Sequence, residues 1–174
     1  MDRGFEVVAV ATNRPSCGGA AFARERNIPL GELSLKHFAS EEDRDTAMCD
    51  FFRSYSVELV VDAGYDRIHT RPFLAAFQGR IVNVHPSLLP EFGGSMDAVE
   101  QALRNGVPKT GATVHLVTED LDAGPILAQE SVPVLKDDTV ETLRRRIHEA
   151  EYRILPAAIR LLEARLAESP AVGQ

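Results

Sequence analysis

Short β-branched runs alternate along this chain with stretches of helical spacing. Phe5 to Thr12 (FEVVAVAT) is apolar, compact and bounded by the turn residues Asn13-Arg14-Pro15-Ser16, which predicts a buried strand. Gly18 and Gly19 open a helix to about Arg26, and Asn27 to Leu30 returns the chain to a short edge segment. Ser40 before Glu41-Glu42-Asp43 predicts an N-cap, with Asp43 closing the box and the helix running to about Ser54. Val57 to Ala63 predicts another strand, followed by Gly64-Tyr65-Asp66-Arg67-Ile68 and a helix from about Arg71 to Phe77. Ile81 to Val84 and Ala112 to Val117 are two further strands.

Between those two strands, Met96, Val99 and Leu103 share one helical face over Ser95 to Asn105, and Gly106 is a suitable residue just past the helix end. A long helix is expected from Asp138, with Asp138 as cap and Glu141 three residues on. Val140, Leu143, Ile147, Ala150 and Ile154 form its apolar stripe. Pro156 is expected to kink or divide it before Leu161, Leu162 and Leu166, and the chain to fray from about Glu168. Strands alternating with helices imply parallel βαβ units, a doubly wound α/β domain over residues 1–174 whose ligands sit beyond the carboxyl ends of strands.

With 174 residues and 44% apolar content, the chain can bury one domain's core. A net charge of −7 argues against a broad nucleic-acid or anionic-membrane surface, so small-molecule partners are expected. Cys17 and Cys49 stand far apart without zinc-like spacing, so neither a disulfide framework nor a metal is expected. No secretory leader or membrane-length apolar run is visible, and the expected location is the cytoplasm.

The chemistry gathers around IVNVHPSLLP, Ile81 to Pro90. Asn83 and His85 lie two residues apart on one side of a strand that two prolines bring to a stop. An amide and an imidazole are the donors that a tetrahedral oxyanion needs, and Asp122, in the turn Leu121-Asp122-Ala123-Gly124-Pro125, could orient the ring and hold it charged. Alone, His85 reads equally well as a core histidine, and Asp122 as an ordinary turn residue. His115 and Thr113 read as structural strand residues. Glu151 borders the apolar stripe of the long helix, where a carboxylate is unfavourable unless paired.

The strings NVHPSLLP, TGATVHLVTEDLDAGPI and EAEYRILP resemble phosphoribosylglycinamide formyltransferase, the folate-dependent enzyme of purine synthesis, and the likeness runs from about Glu6 to about Leu166. HPS separates it from formyltetrahydrofolate deformylase, which usually reads HHS, and from methionyl-tRNA formyltransferase, which lacks the proline. The resemblance implies a Rossmann-like formyltransferase fold and 10-formyltetrahydrofolate as co-substrate. It also implies Asn83, His85 and Asp122 as catalytic residues. Asp66, Arg67, Ile68, Val117 and Asp120 would line the folate pocket, and Glu151 and Pro86 would meet the glycinamide substrate. A homodimer is compatible with it. Another acceptor amine, deformylation, and a catalytically weak folate-binding remnant stay open as alternatives.

Departures from the family are visible. Asp66 and His69 replace the usual Met and Leu, and the loop Glu91-Phe92-Gly93-Gly94-Ser95-Met96-Asp97 is one residue longer and lacks the family's histidines. The family's first strand and its Gly-Ser-Asn phosphate loop have no counterpart in this sequence, which leads to the expectation of weak glycinamide ribonucleotide binding by the chain as written.

Overall fold

Six strands and five α-helices follow one another in the computed structural model, which describes residues 4–168. The chain divides into two compact units, one running up to Val60 and resuming over Arg67–Gln78, the other comprising Val61–Asp66 and the chain from Gly79.

In the first unit, β1 (Val10–Thr12) and β2 (Leu30–Glu32) pair in parallel around α1 (Gly18–Glu25), the βαβ unit expected from the alternation. Strand β1 is shorter than the apolar run from Phe5, its pairing with β2 covering only Val10 to Thr12. After a 3-10 turn at Leu35–His37 comes α2 (Glu41–Ser54). Its N-terminus is the predicted box: Ser40 Oγ accepts the Asp43 amide at 3.0 Å and donates to Asp43 Oδ2 at 2.8 Å. Its C-terminus is a Schellman wrap, in which Ser56 at φ 53° lets the Val57 amide return to the Phe52 carbonyl. Val57 is thereby taken up by the helix end, and β3 begins only at Val60 (Val60–Asp62). Phe52 packs with Phe73 and Phe77 of the segment holding α3 (Arg71–Ala76), at ring separations of 6.3 and 6.0 Å.

The four-stranded sheet has the order β3-β4-β5-β6, with β4 Ile81–His85, β5 Lys109–Leu116 and β6 Ile126–Pro133. From β4 onward the pairings are antiparallel, so the α/β architecture is mixed. Strand β6 lies outside the strands that the sequence pattern predicts. Its residues, ILAQESVP, carry no clean alternation, and only Val132 is buried. Two glycines allow close approach: a Cβ on Gly111 would lie 2.1 Å from the Glu130 carbonyl oxygen, and one on Gly124 would lie 1.8 Å from that of Leu116.

Helix α4 (Ala98–Arg104) is shorter than predicted and leaves Met96 79% exposed, outside its apolar face. Gly106, at φ 61°, ends it as expected. Helix α5 (Val140–Glu168) carries Pro156 inside one continuous span, and buries Leu143, Ile147, Ala150 and Ile154 as the stripe predicted. The residues expected to fray beyond Glu168 lie outside the described part. Among the described residues, no helix is long and apolar enough to cross a membrane.

The cap of α5 differs from expectation. Asp138 Oδ1 and Oδ2 are occupied by Arg146 at 2.9 and 2.8 Å and by the Leu135 amide, so Thr139 caps instead, its Oγ1 accepting the Thr142 amide at 3.2 Å. Threonine to alanine at such a cap costs about 1 kcal/mol. Thr139→Ala is therefore expected to lower the unfolding free energy by about that much in urea titration. Glu141→Ala, which removes only an exposed pair with Arg145, should cost no more than about 0.5 kcal/mol.

Candidate active site

Antiparallel register decides which side chains meet. Asn83 lies opposite His115 and His85 opposite Thr113, so alternate residues of β4 and β5 share one face of the sheet. Thr113 fixes the turn that follows β4: its hydroxyl donates to the Ser87 carbonyl at 2.6 Å and accepts the Leu89 amide at 3.1 Å. Gln129 of β6 reinforces both, donating to Thr113 Oγ1 and to the Leu89 carbonyl. Past the end of β5, the chain swings through Asp122, held at φ 52°, and returns beside Leu116 at Gly124.

The Asp122 carboxylate, its side chain 8% exposed, sits at the centre of a polar cluster. Oδ2 lies 3.3 Å from His85 Nδ1 and accepts the Gly94 amide at 2.8 Å. Oδ1 lies 3.4 Å from both His115 Nε2 and Asn83 Nδ2. Asn83 Nδ2 is also 3.2 Å from His115 Nε2, while His115 Nδ1 donates to the Leu116 carbonyl at 2.9 Å. The hydrogen bond with His115 is the largest cause that holds the Asp122 carboxyl down at about 2, followed by the Gly94 amide and the nearby His85, against opposing burial.

His85 is buried, and its Nε2 donates to the Phe92 carbonyl at 3.1 Å. Both ring nitrogens thus face acceptors, an arrangement that the imidazolium satisfies. Burial acts the other way and prevails: it pulls the His85 pKa below 6.5, with the Asp122 carboxylate and the Phe92 carbonyl opposing. This corrects the expectation that Asp122 holds the ring charged, because desolvation of a buried imidazolium outweighs a single partner carboxylate here.

The predicted catalytic residues Asn83, His85 and Asp122 therefore converge. His115, expected to be a structural strand residue, joins them; the signal was its place on β5, unreadable without the register. Pro86 follows directly on β4 and is half-buried. Val117 continues β5, its amide donating to the Ile81 carbonyl at 2.9 Å, and Asp120 is exposed in the Asp122 loop. Asp66, Arg67 and Ile68 lie between β3 and α3, with Ile68 65% exposed. Glu151 lies on α5, largely buried, with His148 4.0 Å away; burial raises its pKa, and His148 opposes.

A carboxylate from a loop and two imidazoles and an amide from two paired strands are group types able to move a proton and to donate to an oxyanion. Residues 2–159 match the family described as formyl transferase, and the chain belongs to that family. It is 45% identical over 156 residues to a phosphoribosylglycinamide formyltransferase of Mycobacterium tuberculosis, covering 90% of this chain and 72% of the relative. The solved structure of glycinamide ribonucleotide transformylase 1 from Symbiobacterium toebii superposes with a TM-score of 0.86 at 45% identity, covering 90% of this chain and 74% of the other. The trifunctional purine biosynthetic protein adenosine-3 of Gallus gallus is 43% identical over 157 residues, and this chain spans 16% of its length.

The signs of the titrations can be tested. Asp122, depressed below its usual 3.8, contributes stability that is present above about 4 and lost as pH falls toward about 2. His85, also depressed, costs stability as pH drops below 6.5, where the unfolded ring takes a proton before the folded one does. Ring NMR should place the His85 midpoint below 6.5 and show it moving further down in Asp122→Asn, which removes the opposing carboxylate. A midpoint that rises in this variant would contradict the assignment.

Proposed function

We propose that the protein transfers a formyl group from 10-formyltetrahydrofolate to the amine of glycinamide ribonucleotide, in the cytoplasm, as a step of de novo purine synthesis. The observation that carries this reading is the Asp122 carboxylate within 3.4 Å of His85, His115 and Asn83, on a chain of the formyl transferase family. The family match runs through both units, which supports one formyltransferase domain over residues 1–174.

The attacking amine forms a bond to the formyl carbon, and the formyl oxygen becomes an oxyanion that wants fixed donors. Asn83 Nδ2 and His85 Nε2 are the donors at hand; at rest their hydrogens face His115 and Asp122 and the Phe92 carbonyl, and each is shared with the oxyanion as its charge grows. The proton that the attacking amine gives up is taken between His85 Nδ1 and Asp122 Oδ2, 3.3 Å apart. Burial weakens the ring's hold on a proton, and negative charge growing on the formyl oxygen strengthens it, so the pair stabilises the transition state more than the ground state. Asp122 holds the ring and helps take the proton from the attacking amine. That proton ends on the leaving nitrogen of the folate as the original carbon–nitrogen bond breaks.

By resemblance, Asp66, Arg67, Ile68, Val117 and Asp120 would hold the folate. Glu151 and Pro86 would meet the acceptor, and the burial of Glu151 gives a cationic amine a reason to pair there. None of these roles requires a metal. Sedimentation velocity would decide between monomer and homodimer.

His85→Ala and Asp122→Asn should each lower kcat by about a hundredfold or more while leaving the far-ultraviolet circular dichroism unchanged. Near-normal turnover with 10-formyltetrahydrofolate in either variant would refute the mechanism. Omitting glycinamide ribonucleotide should abolish tetrahydrofolate release; continued release would favour deformylation. The rate should rise from about pH 5 toward neutral as the amine and His85 lose protons, and a flat profile between about 5 and 8 would argue against the scheme.

A further inference from the structure

The turn that follows the cis Leu89-Pro90 bond reaches back to the reacting pair with its backbone. The Phe92 carbonyl accepts His85 Nε2 at 3.1 Å, and the Gly94 amide donates to Asp122 Oδ2 at 2.8 Å. Both residues are left-handed, Phe92 at φ 57° and Gly94 at φ 70°. A phenylalanine in that region is unfavourable and persists only where its surroundings enforce it. Here the enforcement is visible: the Glu91 carbonyl accepts Ser87 Oγ at 2.5 Å, the Glu91 amide donates to the Leu88 carbonyl, and the Gly93 amide donates to the Pro90 carbonyl.

We propose that Phe92 and Gly94 are positioning residues, whose main-chain carbonyl and amide form a two-point clamp that sets the geometry of the His85 and Asp122 pair. The Gly94 contact is the shortest that Asp122 makes within the cluster, against 3.3 to 3.4 Å for the side-chain partners. It is also the one partner there with no side-chain torsion of its own. By engaging Oδ2, which also faces His85, it fixes the rotation of the carboxylate and leaves Oδ1 toward Asn83 and His115. The Phe92 carbonyl fixes the ring of His85 in the same way, from the opposite nitrogen. This inference rests on reading His85 and Asp122 as the reacting pair.

Substitution at position 94 separates backbone conformation from size. A Cβ there would meet only Leu121 Cδ2, at 3.6 Å, which is ordinary contact, so Gly94→Ala changes backbone preference without crowding. Asparagine is larger than alanine but tolerates the left-handed region better. Gly106, left-handed at φ 61° with nothing within 4 Å of its would-be Cβ, serves as a control for general backbone strain.

Steady-state kinetics of the intact protein, with 10-formyltetrahydrofolate and glycinamide ribonucleotide, should show Gly94→Ala lowering kcat roughly tenfold to a hundredfold, the scale of a slightly misplaced catalytic group. Both KM values should change by less than about threefold, since a group that acts only in the transition state alters kcat. Gly94→Asn should recover a substantial part of the loss, and Gly106→Ala should lose thermal stability yet keep full kcat. Full kcat in Gly94→Ala, or a Gly94→Asn variant slower than Gly94→Ala, would overturn the clamp, as would an equal kcat loss in Gly106→Ala. If His85→Ala and Asp122→Asn also kept full turnover, the formyl-transfer reading would fail with it; if they did not, the clamp alone would fail.

Discussion

A desolvated carboxylate must be met by donors from every side, and Asp122 shows how that requirement organises the second unit. Burial alone would raise its pKa, yet the hydrogen bond with His115, the Gly94 amide and His85 hold it at about 2. Those partners come from β5, the turn after β4, and β4 itself. A shift of any of them would leave a buried charge short of a partner, a costly state in a low-dielectric interior. The site and the local fold are stabilised by the same contacts.

The backbone makes that grouping affordable in space. Gly124 lets the Asp122 loop lie directly on the Leu116 carbonyl, and Gly111 lets β6 approach β5 at Glu130. The antiparallel register then places Asn83 against His115 and His85 against Thr113. Thr113 in turn bonds to the Ser87 carbonyl and the Leu89 amide, which fixes the start of the turn that carries Phe92 and Gly94. One face of two strands thus determines both the side chains of the site and the main-chain groups behind them.

His85 illustrates why charge partners alone do not predict a protonation state. A neighbouring carboxylate and an accepting carbonyl both favour the imidazolium, yet burial outweighs them and the ring titrates below 6.5. In the proposed formyl transfer, a buried ring whose two nitrogens face acceptors binds a proton more firmly as negative charge forms nearby.

Local pattern was enough for elements whose causes are local. The Ser40 box, the α5 stripe from Leu143 to Ile154 and the glycine past α4 were all legible, because capping and helical spacing act over a few residues. The motif residues Asn83, His85 and Asp122 were legible as types of chemistry on a strand end and in a turn. Strand β6, the antiparallel pairings and the Thr139 cap were not, since each depends on a competing partner: a neighbouring strand for β6, and Arg146 for the Asp138 carboxylate. The place of His115 in the cluster, the direction of the His85 shift and the reach of Phe92 and Gly94 were decided only by tertiary structure. Register, burial and left-handed backbone torsions arise between segments far apart in sequence, and no local pattern encodes them.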